Sequence, residues 1–125
     1  MQKKDDTLGS MGELEFINSI KKLIPLKKTD ILLSAGDDCC AVNSFGESVI
    51  LSTIDTFVDK VHFSSDYSTW EQIGQRAMAA SVSDIAAMSA VPVYSLTSLS
   101  MPSDLNFNDA VSLFDGLRKT AEKYG

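Results

Sequence analysis

Three acidic positions in this sequence have the residue type and surroundings that metal-assisted chemistry requires. Asp38 ends a Gly36-Asp37-Asp38 sequence, Asp55 follows an apolar run, and Asp84 lies among alanines. Carboxylate oxygens are ligands that Mg²⁺ prefers, and an ionised carboxylate among alanines is costly unless a cation or a hydrogen-bond donor meets it. Each position also has a structural explanation, since aspartate forms turns after glycine and bonds to nearby backbone amides. The pattern is therefore compatible with a magnesium site or with three structural aspartates, and Asp84 is the strongest candidate.

Other common kinds of site find no support in the sequence. Two adjacent thiols, Cys39 and Cys40, and the single histidine, His62, do not provide four zinc ligands at any usual spacing. The phosphate-binding loop Gly-x-x-x-x-Gly-Lys-Ser/Thr, the dinucleotide loop Gly-x-Gly-x-x-Gly and the hydrolase elbow Gly-x-Ser-x-Gly are all missing. A lone histidine is more often solvated or hydrogen-bonded than catalytic. Covalent catalysis is therefore not indicated.

The negative charge is concentrated in one part of the chain. The net charge is −6, and residues 37–84 contain eight acidic residues and two basic ones, whereas the remainder is balanced. No basic stripe is present for a phosphate backbone, so nucleic acid is excluded as a partner. The local excess favours a site for hard cations, although a solvated acidic face is the commoner cause of such a pattern.

Length and composition predict one soluble globular domain. The chain has 125 residues, of which 44% are hydrophobic and 22% charged. It contains no run of about 18 to 20 apolar residues that would span a membrane, and its first ten residues lack the apolar run of a secretory signal. We therefore expect no membrane contact and a cytoplasmic location. Residues 1–11 are predicted to be a flexible leader or a tag, and residues 12–125 the folded domain.

Apolar periodicity and turn residues predict the elements that position the acids. In order, they are a helix from Glu13 that ends at Pro25, strands at 31–33, 39–42 and 48–54, an extended piece at 58–63, a helix at 70–90, a strand at 93–101 and a helix at 106–124. The third strand delivers Asp55 at its carboxyl end, and the alanine-rich helix carries Asp84. This order predicts an α+β fold with a mixed or antiparallel sheet covered by helices on one side.

The last predicted helix is amphipathic. The side chains expected to face inward are Phe107, Ala110, Val111, Phe114, Leu117 and Ala121. The helix at 70–90 is rich in small residues, so we expect a neighbouring element to approach it closely.

The same segments resemble the amino-terminal domain of the thiamine-monophosphate kinases, within the superfamily of aminoimidazole ribonucleotide synthetase. The matching pieces are Gly12-Glu13 before Phe16-Ile17, Gly36-Asp37-Asp38-Cys39-Cys40-Ala41-Val42, Ser52-Thr53-Ile54-Asp55-Thr56, Val58-Asp59-Lys60-Val61-His62-Phe63 and the run from Ser83-Asp84 to Val91-Pro92. No single piece is specific for this family, but the occurrence of all of them in this order over most of the chain is specific for it. The Val-His-Phe element and the Ser-Asp-x-Ala-Ala-Met run favour the thiamine-phosphate branch.

The resemblance implies transfer of the terminal phosphoryl group of ATP to thiamine monophosphate, with Mg²⁺ bound by carboxylates. Carried over residue by residue, Asp38, Asp55 and Asp84 match the metal-binding aspartates that also contact the ATP phosphates through magnesium. His62 matches a residue that contacts thiamine monophosphate, and Thr53 is a further candidate for a ligand oxygen. Asp37 is a weaker candidate that supports the ligands. The resemblance also implies a homodimer formed through sheet edges.

Three departures from the family pattern affect what can be carried over. Ile54 occupies a position where many members have threonine, so a metal contact there would use its backbone carbonyl. Ser89 replaces a glycine after the Ala-Ala-Met run, which is a small-for-small change. Family members are more than twice this length, and their Gly-Gly-Asp-Thr motif lies beyond Gly125, so we expect the carboxyl-terminal domain to be absent and the chain to be inactive alone. The alternatives are the amino-terminal domain of another superfamily enzyme, such as aminoimidazole ribonucleotide synthetase, and a non-catalytic dimerisation module.

Overall fold

The computed structural model describes residues 8–24, 30–34 and 36–125 and confirms the α+β class with an antiparallel sheet. The elements are α1 (Leu8–Met11), α2 (Glu13–Lys21), β1 (Ile31–Leu33), β2 (Cys40–Asn43), β3 (Val49–Ser52), α3 (Trp70–Ala87) and α4 (Phe107–Tyr124). The chain divides into two compact units, Met1–Ser52 and Thr53–Gly125. None of the described helices combines the length and apolarity that crossing a membrane requires.

The first unit contains a three-stranded antiparallel sheet in the order β1-β2-β3. Cys40 pairs with Ser52 and Asn43 with Val49, so the β2–β3 hairpin is in regular register, whereas the β1–β2 pairing shifts between Ile31 and Leu33. The predicted strands are thus confirmed, with bounds that differ by one or two residues. The predicted leader contains α1 at residues 8–11. Residues 1–7 and Pro25 lie outside the described residues, and helix α2 ends at Lys21, before the predicted end at Pro25.

The second unit is built on the pair of long helices α3 and α4. Helix α3 begins with a capping box, in which the Thr69 side chain accepts a hydrogen bond from the Gln72 amide and the Gln72 side chain accepts one from the Thr69 amide. Gly74 and Gly116 allow the close approach, because a Cβ atom on Gly116 would lie 2.0 Å from the Glu71 carbonyl oxygen. The buried core of this helix pair consists of Ile73, Met78, Leu113 and Leu117.

The prediction of a strand at 93–101 was wrong, because these residues form neither strand nor helix. A strand requires a hydrogen-bonding neighbour, and in the described part of the chain no strand pairs with these residues. The piece predicted to be extended at 58–63 is a turn closed by a single bridge between Asp59 and Phe63.

The inward face predicted for the last helix was also partly wrong. Leu117 is buried, but Phe107, Val111 and Phe114 are 79%, 51% and 55% exposed. The physical reason is that α4 packs on α3 through Leu113, Gly116, Leu117 and Thr120. This glycine-centred face is rotated from the one that apolar periodicity alone selects.

Candidate metal site on helix α3

Asp84, in the last turn of α3, accepts a hydrogen bond from a threonine that follows the sheet. The Thr53 Oγ1 hydroxyl donates a hydrogen bond of 2.7 Å to Asp84 Oδ2, and both residues are half-buried. Thr53 directly follows β3, and Asp84 is fixed by the helical backbone. This hydrogen bond offsets part of the free-energy cost of partly burying a carboxylate among small apolar residues. The sequence indicated that Asp84 needs such a donor or a cation.

Asp55 is held from the same helix by a residue that the sequence reasoning missed. The Ser81 Oγ hydroxyl donates a hydrogen bond of 3.0 Å to Asp55 Oδ2. Ser81 and Asp84 are three residues apart on α3, so they share one face of the helix. That spacing was the one signal that could have drawn attention to Ser81. Nothing in the sequence pairs it with Asp55, which lies 26 residues away.

Together these four side chains form an oxygen cluster, consisting of Thr53, Asp55, Ser81 and Asp84. The segment after β3 and helix α3 each contribute one hydroxyl and one carboxylate, and each hydroxyl donates to the carboxylate of the other segment. An ionised carboxylate only accepts hydrogen bonds, so the hydroxyl protons are directed toward it. All the side-chain atoms that could bind a metal ion in this cluster are oxygens, which suits Mg²⁺ and disfavours softer metals.

The cluster supplies two carboxylates, which is fewer than a complete protein cage would have. Within residues 8–24, 30–34 and 36–125, no group of three or more His, Cys, Asp or Glu side chains is arranged to hold a metal ion. Mg²⁺ is commonly bound by one or two carboxylates together with substrate phosphates and water, so two carboxylates fit that use. Ile54, between Thr53 and Asp55, exposes 93% of its surface, and its predicted backbone contact stays a prediction.

Asp38 belongs to the first unit, in the bend at residues 36–39 before β2. Its backbone amide donates a hydrogen bond of 2.9 Å to Oδ1 of Asp37, and both residues are exposed. Asp37 thus forms a local turn after Gly36, whose φ is +99°, and Asp38 is followed in the sequence by the buried Cys39. The convergence of Asp38 with Asp55 and Asp84 stays a prediction.

His62, the candidate contact to substrate, lies in the turn at residues 58–63. The Val58 amide donates a hydrogen bond of 3.0 Å to His62 Nδ1, and the His62 ring lies 5.8 Å from that of Phe57. Because Nδ1 accepts this bond, the neutral ring carries its proton on Nε2. His62 is exposed, so Nε2–H is the ring donor left for a ligand.

An ion pair fixes the loop that follows His62. The Lys60 ammonium group bonds to Oδ2 of Asp66, and that hydrogen bond lowers the pKa of Asp66 and raises the pKa of Lys60. The Ser64 hydroxyl also donates to Oδ2 of Asp66, and Oδ1 of Asp59 accepts from the Ser65 amide. The turn that carries His62 is therefore closed by side-chain bonds on its carboxyl-terminal side.

Comparison with known proteins shows which family this chain is similar to. The family described as AIR synthase related protein, N-terminal domain, matches residues 36–125. Thiamine-monophosphate kinase of Bacillus subtilis is 32% identical over 91% of this chain and 35% of its own length. The enzymes of that name from Methanocaldococcus jannaschii and Aquifex aeolicus are 33% and 31% identical over 91% and 94% of this chain, and over 36% of their own length in each case. The chain thus spans about a third of these relatives, and no solved structure matched it.

Proposed function

This chain belongs to the family of the AIR synthase related protein, N-terminal domain, and from that premise we propose that it is the amino-terminal part of a thiamine-monophosphate kinase. The reaction is transfer of the terminal phosphoryl group of ATP to thiamine monophosphate, which gives thiamine diphosphate and ADP. Relatives named for this activity match more than nine tenths of the chain at about 30% identity. This likeness favours the thiamine-phosphate branch over aminoimidazole ribonucleotide synthetase.

The observation that carries the proposal is the oxygen cluster. Asp55 and Asp84 are two of the three aspartates that the resemblance assigns to metal. Asp84 lies on α3 and accepts a hydrogen bond from Thr53, and Asp55 accepts one from Ser81 on the same face of that helix. We propose that these carboxylates bind Mg²⁺, together with Asp38, the Thr53 hydroxyl and the Ile54 carbonyl. The bound ion would neutralise the charge on the phosphates of ATP and thiamine monophosphate, which otherwise repel each other.

The chemistry proposed for this surface is direct in-line displacement. A phosphate oxygen of thiamine monophosphate forms a bond to the terminal phosphorus of ATP, and the bond from that phosphorus to the bridging oxygen breaks, which releases ADP. The protein's task is to hold donor and acceptor together, so no side chain accepts the phosphoryl group. His62 is proposed to contact the phosphate of thiamine monophosphate through Nε2–H, because Nδ1 is occupied by the Val58 amide.

We propose that the chain does not complete this site alone. It spans about a third of the relatives it matches, and the two carboxylates of the cluster leave further metal and ATP contacts to be supplied from elsewhere. Fixing donor, acceptor and ions together governs the rate of such a transfer, so the loss of part of the site costs several powers of ten.

We also propose a homodimer formed through the sheet edges. Among the described strands, β1 and β3 are the edges of the sheet, and an edge presents unpaired amides and carbonyls to a second chain. Leu32, Val49 and Ile50 on these strands are 41–48% exposed, so apolar side chains accompany the unpaired backbone. Light scattering at high micromolar concentration should give twice the chain mass, and a monomer would contradict this proposal.

The activity test uses the chain alone and a chimera in which it replaces the matching third of the Bacillus subtilis relative. Each is incubated with ATP, Mg²⁺ and thiamine monophosphate, and thiamine diphosphate is quantified by chromatography. We expect product from the chimera and none above background from the chain. A folded chimera that binds no thiamine monophosphate and forms no product would overturn the kinase proposal. Robust turnover by the chain alone, abolished by Asp55→Asn, would show that the domain carries a complete site.

A further inference from the structure

Ser81 uses its only hydroxyl proton in an unusual way for a serine inside a helix. Such a serine commonly bonds to the carbonyl oxygen one turn earlier in its own helix. Here the hydroxyl donates instead to Oδ2 of Asp55, in a segment 26 residues earlier in the sequence. Ser81 is half-buried while Asp55 is exposed, so the bond ties an exposed carboxylate to a more rigid and less accessible element.

The orientation of Asp55 depends on its hydrogen bond from Ser81 more than the orientation of Asp84 depends on its hydrogen bond from Thr53. Asp84 is part of α3, so its backbone is fixed by helical hydrogen bonds. Asp55 lies at residues 53–58, which form neither helix nor strand, and the bond from Ser81 is the one that the described residues make to its side chain. Without it, the Asp55 carboxylate would be free to rotate among several staggered positions.

We propose that Ser81 is a positioning residue, which holds Oδ2 of Asp55 so that Oδ1 is presented to a divalent cation together with Asp84. The inference rests on the proposed function, because it assumes that the oxygen cluster binds metal. Ser81 does not itself contact the cation. Its contribution is to remove the rotational freedom that Asp55 would otherwise lose when the cation binds.

The expected effect is a loss of cation affinity with the fold preserved. Removing a residue that orients a metal ligand typically weakens metal binding about 10- to 100-fold. Because the cluster has two carboxylates and solvent reaches Asp55, we expect a loss at the lower end of that range, about 10-fold. Alanine is the best helix former, so Ser81→Ala should leave α3 intact.

The test titrates the purified chain with Mn²⁺, whose paramagnetism broadens nearby amide signals in the NMR spectrum even when binding is weak. Ser81→Ala is compared with Ser81→Thr, which keeps the hydroxyl, and with Asp55→Asn. The matched control is Ser112→Ala, since Ser112 is a half-buried serine inside α4 for which the described residues show no side-chain hydrogen bond. Thermal unfolding of each variant provides a readout that does not depend on metal.

We expect about 10-fold weaker Mn²⁺ binding in Ser81→Ala and near wild-type binding in Ser81→Thr and Ser112→Ala. The unfolding midpoints of Ser81→Ala and Ser112→Ala should agree with each other. If Asp55→Asn weakens binding while Ser81→Ala does not, the positioning role is overturned and the metal site stands. If Mn²⁺ broadens no signal near Asp55 or Asp84 in the wild-type chain, the metal site is overturned together with the inference.

Discussion

The helix pair and the three-stranded sheet bury their apolar side chains to very different degrees. Helices α3 and α4 enclose a core of Ile73, Met78, Leu113 and Leu117. In the sheet-containing unit, the described residues bury Cys39 and Ala41. Helix α2 in the same unit has no buried side chain, and its N-cap residue, Gly12, provides no side-chain hydrogen bond.

The proposed site is therefore supported more firmly by the second unit than by the first. Asp84 and Ser81 lie on a helix that is capped and packed within the second unit, so they can orient Thr53 and Asp55. Asp38 lies in an exposed bend next to strands whose apolar side chains are partly exposed. If the proposed dimer covers those strands, the geometry at Asp38 would depend on assembly, whereas the hydrogen bond to Asp84 is made within the chain.

The largest effect is expected from removing a carboxylate from each region in the active chimera. Asp84→Asn and Asp38→Asn should each lower the rate of thiamine diphosphate formation at least 1,000-fold, which corresponds to roughly 4 kcal/mol of lost transition-state stabilisation. The physical reason is that an amide retains the shape of the carboxylate but cannot neutralise a divalent cation. Steady-state kinetics at saturating Mg²⁺ measures the effect, with circular dichroism to confirm folding.

The two substitutions also separate the regions from each other. Asp104, an exposed turn residue, provides the control substitution Asp104→Asn, which should leave the rate within twofold of wild type. Retained activity in Asp38→Asn alone would show that the first unit is not part of the proposed site. Retained activity in Asp84→Asn would show that α3 is not part of it.

A substitution at the helix crossing should destabilise the helix pair strongly. In Gly116→Ala, the new Cβ atom would lie 2.0 Å from the Glu71 carbonyl oxygen, which is backbone and cannot rotate away. The helices must separate, so we expect the free energy of unfolding to fall by about 3 kcal/mol, at the upper end of overpacking costs. Urea unfolding followed at 222 nm measures it.

Gly9→Ala is the matched control for that substitution. Gly9 lies in the short helix α1, and a Cβ atom there would meet nothing within 4 Å. Its free energy of unfolding should equal or slightly exceed that of wild type, since alanine is the better helix former. Equal stability of Gly116→Ala and Gly9→Ala would contradict the close approach of α3 and α4.

The sequence predicts most of the secondary structure because the relevant signals are local. Helix α3 begins where Thr69 and Gln72 form a capping box, and the β2–β3 hairpin surrounds Gly46, whose φ is +77°. The prediction of a strand at 93–101 is wrong because composition alone cannot show whether a hydrogen-bonding neighbour exists. The prediction that Phe107 faces inward is wrong for a related reason, since the glycine-centred crossing decides which face of α4 is buried.

The site is predicted less completely than the fold. The acidic positions indicate Asp38, Asp55 and Asp84 as candidates, and the resemblance adds Thr53 and His62 as candidates. Ser81 was not predicted, because its partner is brought to it by folding and the serine itself carries no charge or motif. Contacts between residues far apart in sequence are what a single sequence specifies least directly.

A moderate effect is expected from removing the N-terminal cap of α3. In Thr69→Ala, the Gln72 amide loses its acceptor, which should lower the free energy of unfolding by about 1 kcal/mol. Thr97→Ala, at an exposed position in the irregular segment, is the control and should stay within about 0.5 kcal/mol of wild type. If thermal unfolding showed the same change for both, the capping box would not contribute to the stability of the helix pair.

The smallest effect is expected from the ion pairs on the surface of the helix pair. Lys119 Nζ lies 2.8 Å from both Glu71 Oε1 on α3 and Asp115 Oδ2 on α4. Hydrogen bonds from Lys119 and Arg118 lower the pKa of Asp115 below its ordinary value near 3.8. A lowered pKa in the folded state stabilises the protein above the ordinary value, and this stabilisation is lost as the pH falls through the lowered pKa. The relevant window is therefore below about pH 4.

In that window the wild-type free energy of unfolding should fall more steeply with decreasing pH than that of Asp115→Asn, which has no carboxyl proton to bind. The slopes should differ by a fraction of one bound proton because Asp115 and its partners are largely solvent-accessible, and added salt should reduce the difference further. Urea titrations between pH 2 and pH 6 measure the slopes, with Asp104→Asn as the control that should follow wild type. Parallel curves for wild type and Asp115→Asn would mean that the pairs of Asp115 with Lys119 and Arg118, both within α4, contribute nothing to the stability of the helix pair.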